Sequence, residues 1–253
     1  MTNGIPAIFI CGTDTGVGKT TVTALLLALM RETGLAAAPM KPVETGCARN
    51  RDGLVAADLD LCLATAGMQP EADEKALMAP FRFSLPASPH LAARYERRRF
   101  AVPAIHQALA QLQRRYRPIL VEGAGGLMVP LHGNFLTLDL VKQLKAPVIL
   151  VARSGLGTIN HCLLTLDVLR RHRIALIGIV FNDGPDDDPR VVADNIRCIP
   201  RLAGVRRLGS IPFYRGIESL LTSAATDPAI LERLIPRRRQ WIKRIVRYAA
   251  ETR

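Results

Sequence analysis

A chain of 253 residues with 49% hydrophobic and only 5% aromatic residues suits one α/β domain, in which Ala- and Leu-rich helices cover parallel strands. The five cysteines are scattered, so they indicate neither a disulfide framework nor a zinc site. No segment resembles a signal peptide or approaches the ~20 apolar residues of a membrane span, so we expect a cytoplasmic protein without a membrane partner. Taken alone, the net charge of +12 fits a nucleic-acid or membrane partner or simply a basic surface.

The sequence GTDTGVGKT at residues 12–20 lies between an apolar run that predicts a buried strand and an apolar pattern that predicts a helix. Its glycines let backbone N–H groups face a phosphate, Lys19 can reach the terminal phosphates, and the Thr20 hydroxyl can hold Mg²⁺. The stretch therefore predicts an ATP- or GTP-binding loop. The loop is a variant, because Thr13 stands where the usual pattern has its first glycine and Gly12 lies one place earlier. The alternative is a glycine-rich turn without a ligand.

Charged residues recur where predicted strands end. Lys41 follows a short apolar stretch, and Glu122 ends the strand predicted at residues 119–121, just before several glycines. Asp58 lies in the first turn of a predicted helix. The carboxyl ends of parallel strands meet at one edge of a sheet, where ligands bind. Taken alone, a lysine at a strand end such as Lys41 is more often a solvated charge, and an acid in a first helical turn such as Asp58 usually serves the helix dipole.

Further along the chain, apolar runs at residues 147–152 and 175–181 predict more strands, and residues 209–213 resemble a last short strand and turn. The first leads through Gly157 into a helix that starts near Thr158, a site where backbone N–H groups could bind a second anion. Residues 49–53 are polar and predict a mobile loop. Residues 80–90 are rich in proline and predict an irregular connecting or lid segment. The alternation of strands and helices predicts a doubly wound, mainly parallel α/β fold of the P-loop NTPase type.

Arginine and lysine dominate residues 236–253, whose only acid is Glu251. Apolar residues at helical spacing predict an amphipathic helix that packs one stripe on the protein and solvates a basic one. Membrane or nucleic-acid contact is the alternative. We therefore expect a P-loop α/β domain over residues 1–235, followed by a basic helix over residues 236–253.

Five motifs together resemble the dethiobiotin synthetase family. They are GTDTGVGKT at residues 12–20, KPVETG at 41–46, VEGAGG at 121–126, GLGTINH at 155–161, and the pair Asn182 and Asp183. The resemblance covers roughly residues 5–215. It implies a ligase that uses ATP and Mg²⁺, acts as a homodimer with the active site at the interface, and has neither nucleic acid nor membrane as a partner.

The resemblance also implies a reaction. In that family 7,8-diaminononanoate takes up CO₂ as a carbamate, ATP phosphorylates the carbamate, and the second amine closes the cyclic urea of dethiobiotin. Lys41 and Lys19 would be the catalytic residues, and Thr20, Asp58 and Glu122 would bind the metal.

By the same resemblance, each ligand has its own set of residues. The nucleotide and its metal would be bound by Thr13, Gly16, Val17, Gly18, Lys19, Thr20, Thr21, Asp58, Glu122, Gly123, Ala124, Gly125, Asn182, Asp183, Ile211, Pro212 and Phe213. The diamine or its carbamate would be bound by Thr13, Lys41 and Thr45, and by a second subunit through Gly157, Thr158, Ile159 and Asn160.

Two other interpretations of the motifs remain open. A ParA- or MinD-like ATPase switch that binds DNA or membrane would suit the basic surface. Such switches usually carry a second lysine early in the phosphate loop, where this chain has Thr13 and Asp14. An amidoligase of the cobyric acid type would need a glutamine-hydrolysing domain with a catalytic cysteine, for which the chain has no room.

Overall fold

The computed structural model describes residues 5–98, 100–225, 227–235 and 238–251. The strands are β1 (Ala7–Gly12), β2 (Ala38–Met40), β3 (Val43–Thr45), β4 (Arg49–Asn50), β5 (Gly53–Leu54), β6 (Phe81–Phe83), β7 (Ile119–Glu122), β8 (Pro130–His132), β9 (Phe135–Leu136), β10 (Val148–Arg153), β11 (Leu176–Asn182) and β12 (Arg207–Ile211). The helices are α1 (Lys19–Glu32), α2 (Ala57–Thr65), α3 (Ala72–Met78), α4 (Pro89–Tyr95), α5 (Val102–Leu112), α6 (Thr137–Leu144), α7 (Thr158–Arg171), α8 (Pro189–Ala203), α9 (Ile217–Ser223), α10 (Pro228–Leu234) and α11 (Arg238–Glu251).

A six-stranded sheet in the order β12-β11-β10-β1-β7-β2 forms the centre of the molecule, and all its neighbouring strands are parallel. Every residue of β1 is buried, as expected for a central strand covered on both faces. The predicted doubly wound, mainly parallel α/β fold is confirmed. Because the strands are parallel, the loops after β1, β7 and β10 meet at one edge of the sheet, where the predicted site residues lie.

Helix α1 packs on β1, β2 and β7, and α2, α9 and α11 pack against α1. Helix α11 also contacts the edge strand β12. Its Trp241 lies so close to Gly209 that a Cβ atom added there would meet the indole ring at 2.1 Å. Trp241, Ile242 and Ile245 are buried, whereas Lys243 is exposed. The apolar stripe of the C-terminal helix therefore packs on the domain, as its amphipathic pattern predicts.

Two segments differ from the sequence-based expectation. Residues 49–54 form the short antiparallel pair β4 and β5 where we predicted a mobile loop. The segment at residues 80–90 was predicted to be irregular, and this is wrong at both ends. Its start is β6, which pairs with β3 and buries Phe81 and Phe83, and its end begins α4 at Pro89. Proline is compatible with the first turn of a helix, because the N–H it lacks has no helical partner there.

Two further expectations concern the basic C-terminal helix and a membrane span. Residues 236, 237, 252 and 253 of the expected basic helix lie outside the described residues. Within the described ranges, no helix combines the length and the apolar character that a membrane span needs.

Candidate active site

The predicted phosphate loop joins the end of β1 to the start of α1. Gly18 has φ 94°, and a Cβ atom there would lie 2.2 Å from Nδ2 of Asn182. A Cβ atom on Gly12 would lie 2.7 Å from the carbonyl oxygen of Asp14, and Lys19 donates a hydrogen bond to the same oxygen at 2.7 Å. Glycine is therefore required at both ends of the loop. The close turn places the Lys19 ammonium inside the curve of the loop.

A hydrogen-bonded cluster of charges lies beside the loop. The Lys41 ammonium donates to Glu122 Oε1 at 2.5 Å and to Asp58 Oδ2. The Thr20 hydroxyl donates to the same Glu122 oxygen at 2.9 Å. The three predicted metal-binding residues therefore lie together, although Thr20 belongs to α1, Asp58 to α2 and Glu122 to β7. Lys41, one of the two predicted catalytic lysines, follows β2 and joins them.

Burial shapes the electrostatics of this cluster. Burial alone would lower the pKa of Lys41, but the charges of Glu122 and Asp58 outweigh it and raise the pKa above its usual value. Lys41 is therefore a cation at neutral pH. Burial lowers the pKa of Lys19, although Glu122 opposes the shift. Burial raises the pKa of Glu44 to about 7; its Oε1 accepts a hydrogen bond from the Asp58 backbone N–H at 2.9 Å, whereas its buried Oε2 has no partner.

A cavity of about 680 Å³ opens at this edge of the sheet. The predicted site residues that line it are Gly16, Gly18, Lys19, Thr20, Thr21, Lys41, Thr45, Asp58, Glu122, Gly123, Ala124 and Gly125. The sequence analysis missed several lining residues, namely Thr15, Val43, Leu61, Val129, Glu218 and residues 86–89. Thr15 and Val43 lie within the motifs at residues 12–20 and 41–46, but no role was predicted for them, whereas Leu61, Val129 and Glu218 lie outside the five motifs.

A second cavity of about 170 Å³ shares Gly16 and Thr21 with the first, so the two spaces are neighbours. Asn182 and Asp183 line it together with Pro212 and Phe213, all four of which were predicted to contact the nucleotide. Asn182 also donates a hydrogen bond to the carbonyl oxygen of Val17 at 3.3 Å, which ties the end of β11 to the phosphate loop. Ser154 donates to the Asp183 carboxylate.

Other predicted residues lie outside both cavities. The Thr13 backbone N–H is engaged by the carbonyl oxygen of Val151, and Val17 and Ile211 are buried. The start of α7, with Gly157, Thr158, Ile159 and Asn160, contributes no lining residue to either cavity of its own chain. The Thr158 hydroxyl caps this turn by donating to the carbonyl oxygen of Arg153 at 2.7 Å. Just before it, the Leu156 side chain is 95% exposed.

Comparison with known proteins shows close relatives. A family model described as an AAA domain matches residues 6–219. An ATP-dependent dethiobiotin synthetase BioD of Nitrosopumilus maritimus is 35% identical over 213 residues, which cover 84% of this chain and 91% of that protein. The protein of the same name from Anaeromyxobacter sp. strain Fw109-5 is 40% identical over 211 residues, covering 83% of this chain and 91% of that one.

The solved structures that resemble the chain are more distant. A ParA family ATPase from Chlorobium tepidum has a TM-score of 0.53 and 14% identity, and the match covers 99% of this chain and 100% of that one. The MinD cell division protein of Aquifex aeolicus has a TM-score of 0.56 and 16% identity, with 96% and 97% covered. At this level of identity the likeness shows the fold alone.

Proposed function

Because the chain belongs to the family of ATP-dependent dethiobiotin synthetases and is an ATP-dependent ligase of that kind, we propose that its larger cavity binds ATP beside 7,8-diaminononanoate and CO₂. The main support is the position of Lys41. Its ammonium lies among the phosphate loop, Asp58 and Glu122, and it lines the same cavity as Thr45. In this proposal Lys41 is a buried cation that lies beside both the phosphates of ATP and the carbamate that accepts the phosphoryl group.

The phosphate loop binds the triphosphate of ATP in this proposal. Its backbone N–H groups and the N-terminus of α1 face the anion, and Lys19 exchanges its bond to the Asp14 carbonyl for the phosphate oxygens. The smaller cavity receives the base, where the Asn182 side chain offers both a donor and an acceptor. Glu218, in the first turn of α9, lines the larger cavity and can accept hydrogen bonds from sugar hydroxyls.

The reaction then proceeds without a protein nucleophile. One amine of the substrate attacks CO₂ and loses a proton, which gives a carbamate. A carbamate oxygen attacks the γ-phosphorus, and ADP leaves. The second amine attacks the carbonyl carbon of the resulting carbamic–phosphoric anhydride, and the cyclic urea closes as phosphate and a proton leave. Lys41 neutralises the negative charge between the carbamate and the γ-phosphate, while Thr45 contacts the diamine or carbamate.

The residues beside Lys41 suit a magnesium ion. The Thr20 hydroxyl and the carboxylates of Asp58 and Glu122 are oxygen donors, which Mg²⁺ prefers. Within the described ranges, no three His, Cys, Asp or Glu side chains gather into a metal site. Phosphate oxygens of the nucleotide and water would therefore complete the set. Magnesium, when bound, neutralises phosphate charge during transfer.

We further propose that the enzyme is a cytoplasmic homodimer with its active site at the interface. Leu156, two residues before α7, is 95% exposed, and Leu164 on α7 is 59% exposed. A subunit contact at the start of α7 would cover apolar surface of this kind. The start of α7 lines neither cavity of its own chain, but the backbone N–H groups at Gly157, Thr158, Ile159 and Asn160 can receive the substrate carboxylate of a partner subunit.

An omission assay tests the proposed function. Phosphate release would be followed with ATP, Mg²⁺, bicarbonate and 7,8-diaminononanoate, and each component would be left out in turn. We expect release to require all four. Release that ignores the diamine, or that is stimulated instead by double-stranded DNA or anionic vesicles, would favour a ParA- or MinD-like switch and contradict the proposal.

A further inference from the structure

Residues 84–89 form one wall of the larger cavity, and we call them the wall segment. They join β6 to the first residue of α4 and contribute Pro86, Ala87, Ser88 and Pro89 to the cavity lining. Val43 and Leu61 line the same cavity. Together with Pro86, Ala87 and Pro89 they give the lining an apolar part, whereas the phosphate loop and Lys41 supply charged and polar groups.

One carboxylate outside the cavity holds the start of the wall segment. Glu96 follows α4, and its Oε1 accepts hydrogen bonds from the Ser84 backbone N–H at 2.6 Å, the Ser84 hydroxyl at 2.9 Å and the Leu85 backbone N–H at 3.2 Å. Its side chain is 15% exposed. Partial burial would raise the pKa of Glu96, but these hydrogen bonds and the charge of Arg98 lower it. Glu96 is thus a carboxylate at neutral pH, and charge-assisted hydrogen bonds are strong.

Arg98 adds a second restraint from the same turn. Its guanidinium donates to the carbonyl oxygen of Arg82 at 2.5 Å and lies 5.1 Å from the centre of the Phe83 ring. It also lies 3.8 Å from Glu96 Oε2. Glu96 and Arg98, which follow α4, therefore hydrogen-bond both the wall segment and β6.

The two residues after β3, Gly46 and Cys47, also hydrogen-bond this part of the chain. The Leu85 carbonyl oxygen accepts from the Gly46 N–H at 3.2 Å, and the Phe83 carbonyl oxygen accepts from the Cys47 N–H at 2.9 Å. A Cβ atom on Gly46 would lie 3.2 Å from Cβ of Pro86. Because Thr45 precedes this contact and lines the cavity, a displaced wall segment would alter the space beside the proposed diamine contact.

We propose that Glu96 is a positioning residue for the diamine: it fixes the backbone at Ser84 and Leu85, so that residues 86–89 form an apolar wall for the substrate's aliphatic chain. The inference rests on the proposed function, because it assigns the wall segment to the diamine of that reaction. In the proposed function the triphosphate binds the phosphate loop and Lys19, which do not belong to the wall segment or to α4. Loss of the Glu96 carboxylate is therefore expected to weaken diamine binding much more than ATP binding.

The test compares Glu96→Ala and Glu96→Gln with the control Glu74→Gln. Glu74 is a similarly covered carboxylate on α3, with 11% side-chain exposure, and it accepts hydrogen bonds from Arg115 and Tyr116. The Michaelis constants for the diamine and for ATP, kcat and Tm would be measured for each variant. Hydrogen exchange at the amides of Ser84 and Leu85 gives a readout that does not depend on turnover.

For Glu96→Ala we expect the KM for the diamine to rise about tenfold or more, with the KM for ATP within about twofold and faster exchange at Ser84 and Leu85. Glu96→Gln should show a smaller effect, because the amide oxygen still accepts hydrogen bonds, and Glu74→Gln should show neither change. If Glu96→Ala does not fold, Glu96→Gln carries the test with the same signs.

Two kinds of outcome would overturn the inference, and they differ from failure of the proposed function. A wild-type KM for the diamine, or equal increases for diamine and ATP, in an enzyme that needs the diamine would refute the positioning role alone. Unchanged amide exchange at Ser84 and Leu85 would also refute it. Phosphate release without the diamine in the wild-type protein would refute the proposed function and this inference with it.

Discussion

Replacement of Lys41 by alanine probes the centre of the proposed site. The Lys41 ammonium lies between the carboxylates of Glu122 and Asp58, and Glu122 also accepts a hydrogen bond from Thr20. The substitution removes a buried cation and leaves both carboxylates. It should therefore affect two separate quantities, the free energy of unfolding and the rate of the chemical step.

Burial decides the size of the effect on stability. The Glu122 side chain is 3% exposed and the Asp58 side chain is 43% exposed. Breaking a buried ion pair by removing one partner costs about 3–5 kcal/mol. A half-exposed pair adds only about 0–1 kcal/mol because water screens it. We therefore expect Lys41→Ala to lower the free energy of unfolding by about 3–5 kcal/mol, nearly all of it through Glu122.

The effect on turnover follows from the position of the charge. Removal of one preorganised group that stabilises transition-state charge lowers kcat by roughly 10²–10³-fold. ATP affinity should change by no more than about threefold, because the phosphate loop and Lys19 remain. Their contacts with ATP are made in the ground state as well as in the transition state. Lys41→Met, which keeps the length of the side chain, should show the same loss of kcat.

The assay combines urea unfolding, phosphate release with all substrates present, and equilibrium binding of a fluorescent ATP analogue. Lys75→Ala is the matched control, because its ammonium lies 2.6 Å from Asp60 in a pair whose side chains are 41% and 36% exposed. The control should lose less than about 1 kcal/mol and keep its kcat. A loss of ATP affinity as large as the loss of turnover would move Lys41 from chemistry to nucleotide binding and refute the reasoning.

Three further predictions concern the loop, the last helix and the proposed dimer. Gly18→Ala places a Cβ atom 2.2 Å from Asn182 Nδ2 at φ 94°, so the affinity for a fluorescent ATP analogue should fall at least about tenfold; wild-type affinity would contradict the phosphate loop. Trp241→Ala should lower the free energy of unfolding by about 3–5 kcal/mol in urea, because the indole packs on Gly209; an unchanged midpoint would show that α11 does not pack on the domain. Leu156→Glu should convert a dimer to monomers in analytical ultracentrifugation and reduce turnover, whereas a stable, active dimer would contradict the proposed interface.

The sequence predicts the four inner strands of the central sheet well because they are buried on both faces. β1, β7, β10 and β11 are continuous apolar runs, and such runs need no knowledge of the rest of the fold. The short pairs β3 with β6 and β4 with β5 are different. Strands of two or three residues carry too little periodicity to be recognised, and their partners are set by tertiary contacts.

Some residues of the candidate site can likewise be predicted from the sequence, whereas others are brought there only by the tertiary fold. Lys41 and Glu122 stand at strand ends and Lys19 at the start of α1, all within recognisable motifs, so their convergence could be predicted from the parallel order of the sheet. Glu218 and the wall segment enter the cavity only because α9 and the chain between β6 and α4 fold over the sheet edge. Glu96 never reaches the cavity, and only its hydrogen bonds to Ser84 and Leu85 reveal it.

The most direct measurement is product analysis with ¹³C-labelled bicarbonate. The protein would be incubated with ATP, Mg²⁺, labelled bicarbonate and 7,8-diaminononanoate, and both dethiobiotin and phosphate would be quantified, the former by mass spectrometry. We predict that one labelled carbon enters each dethiobiotin molecule and that one phosphate is released for each product formed. Phosphate release without labelled dethiobiotin would contradict the proposal that this cavity joins CO₂ to a diamine at the expense of ATP.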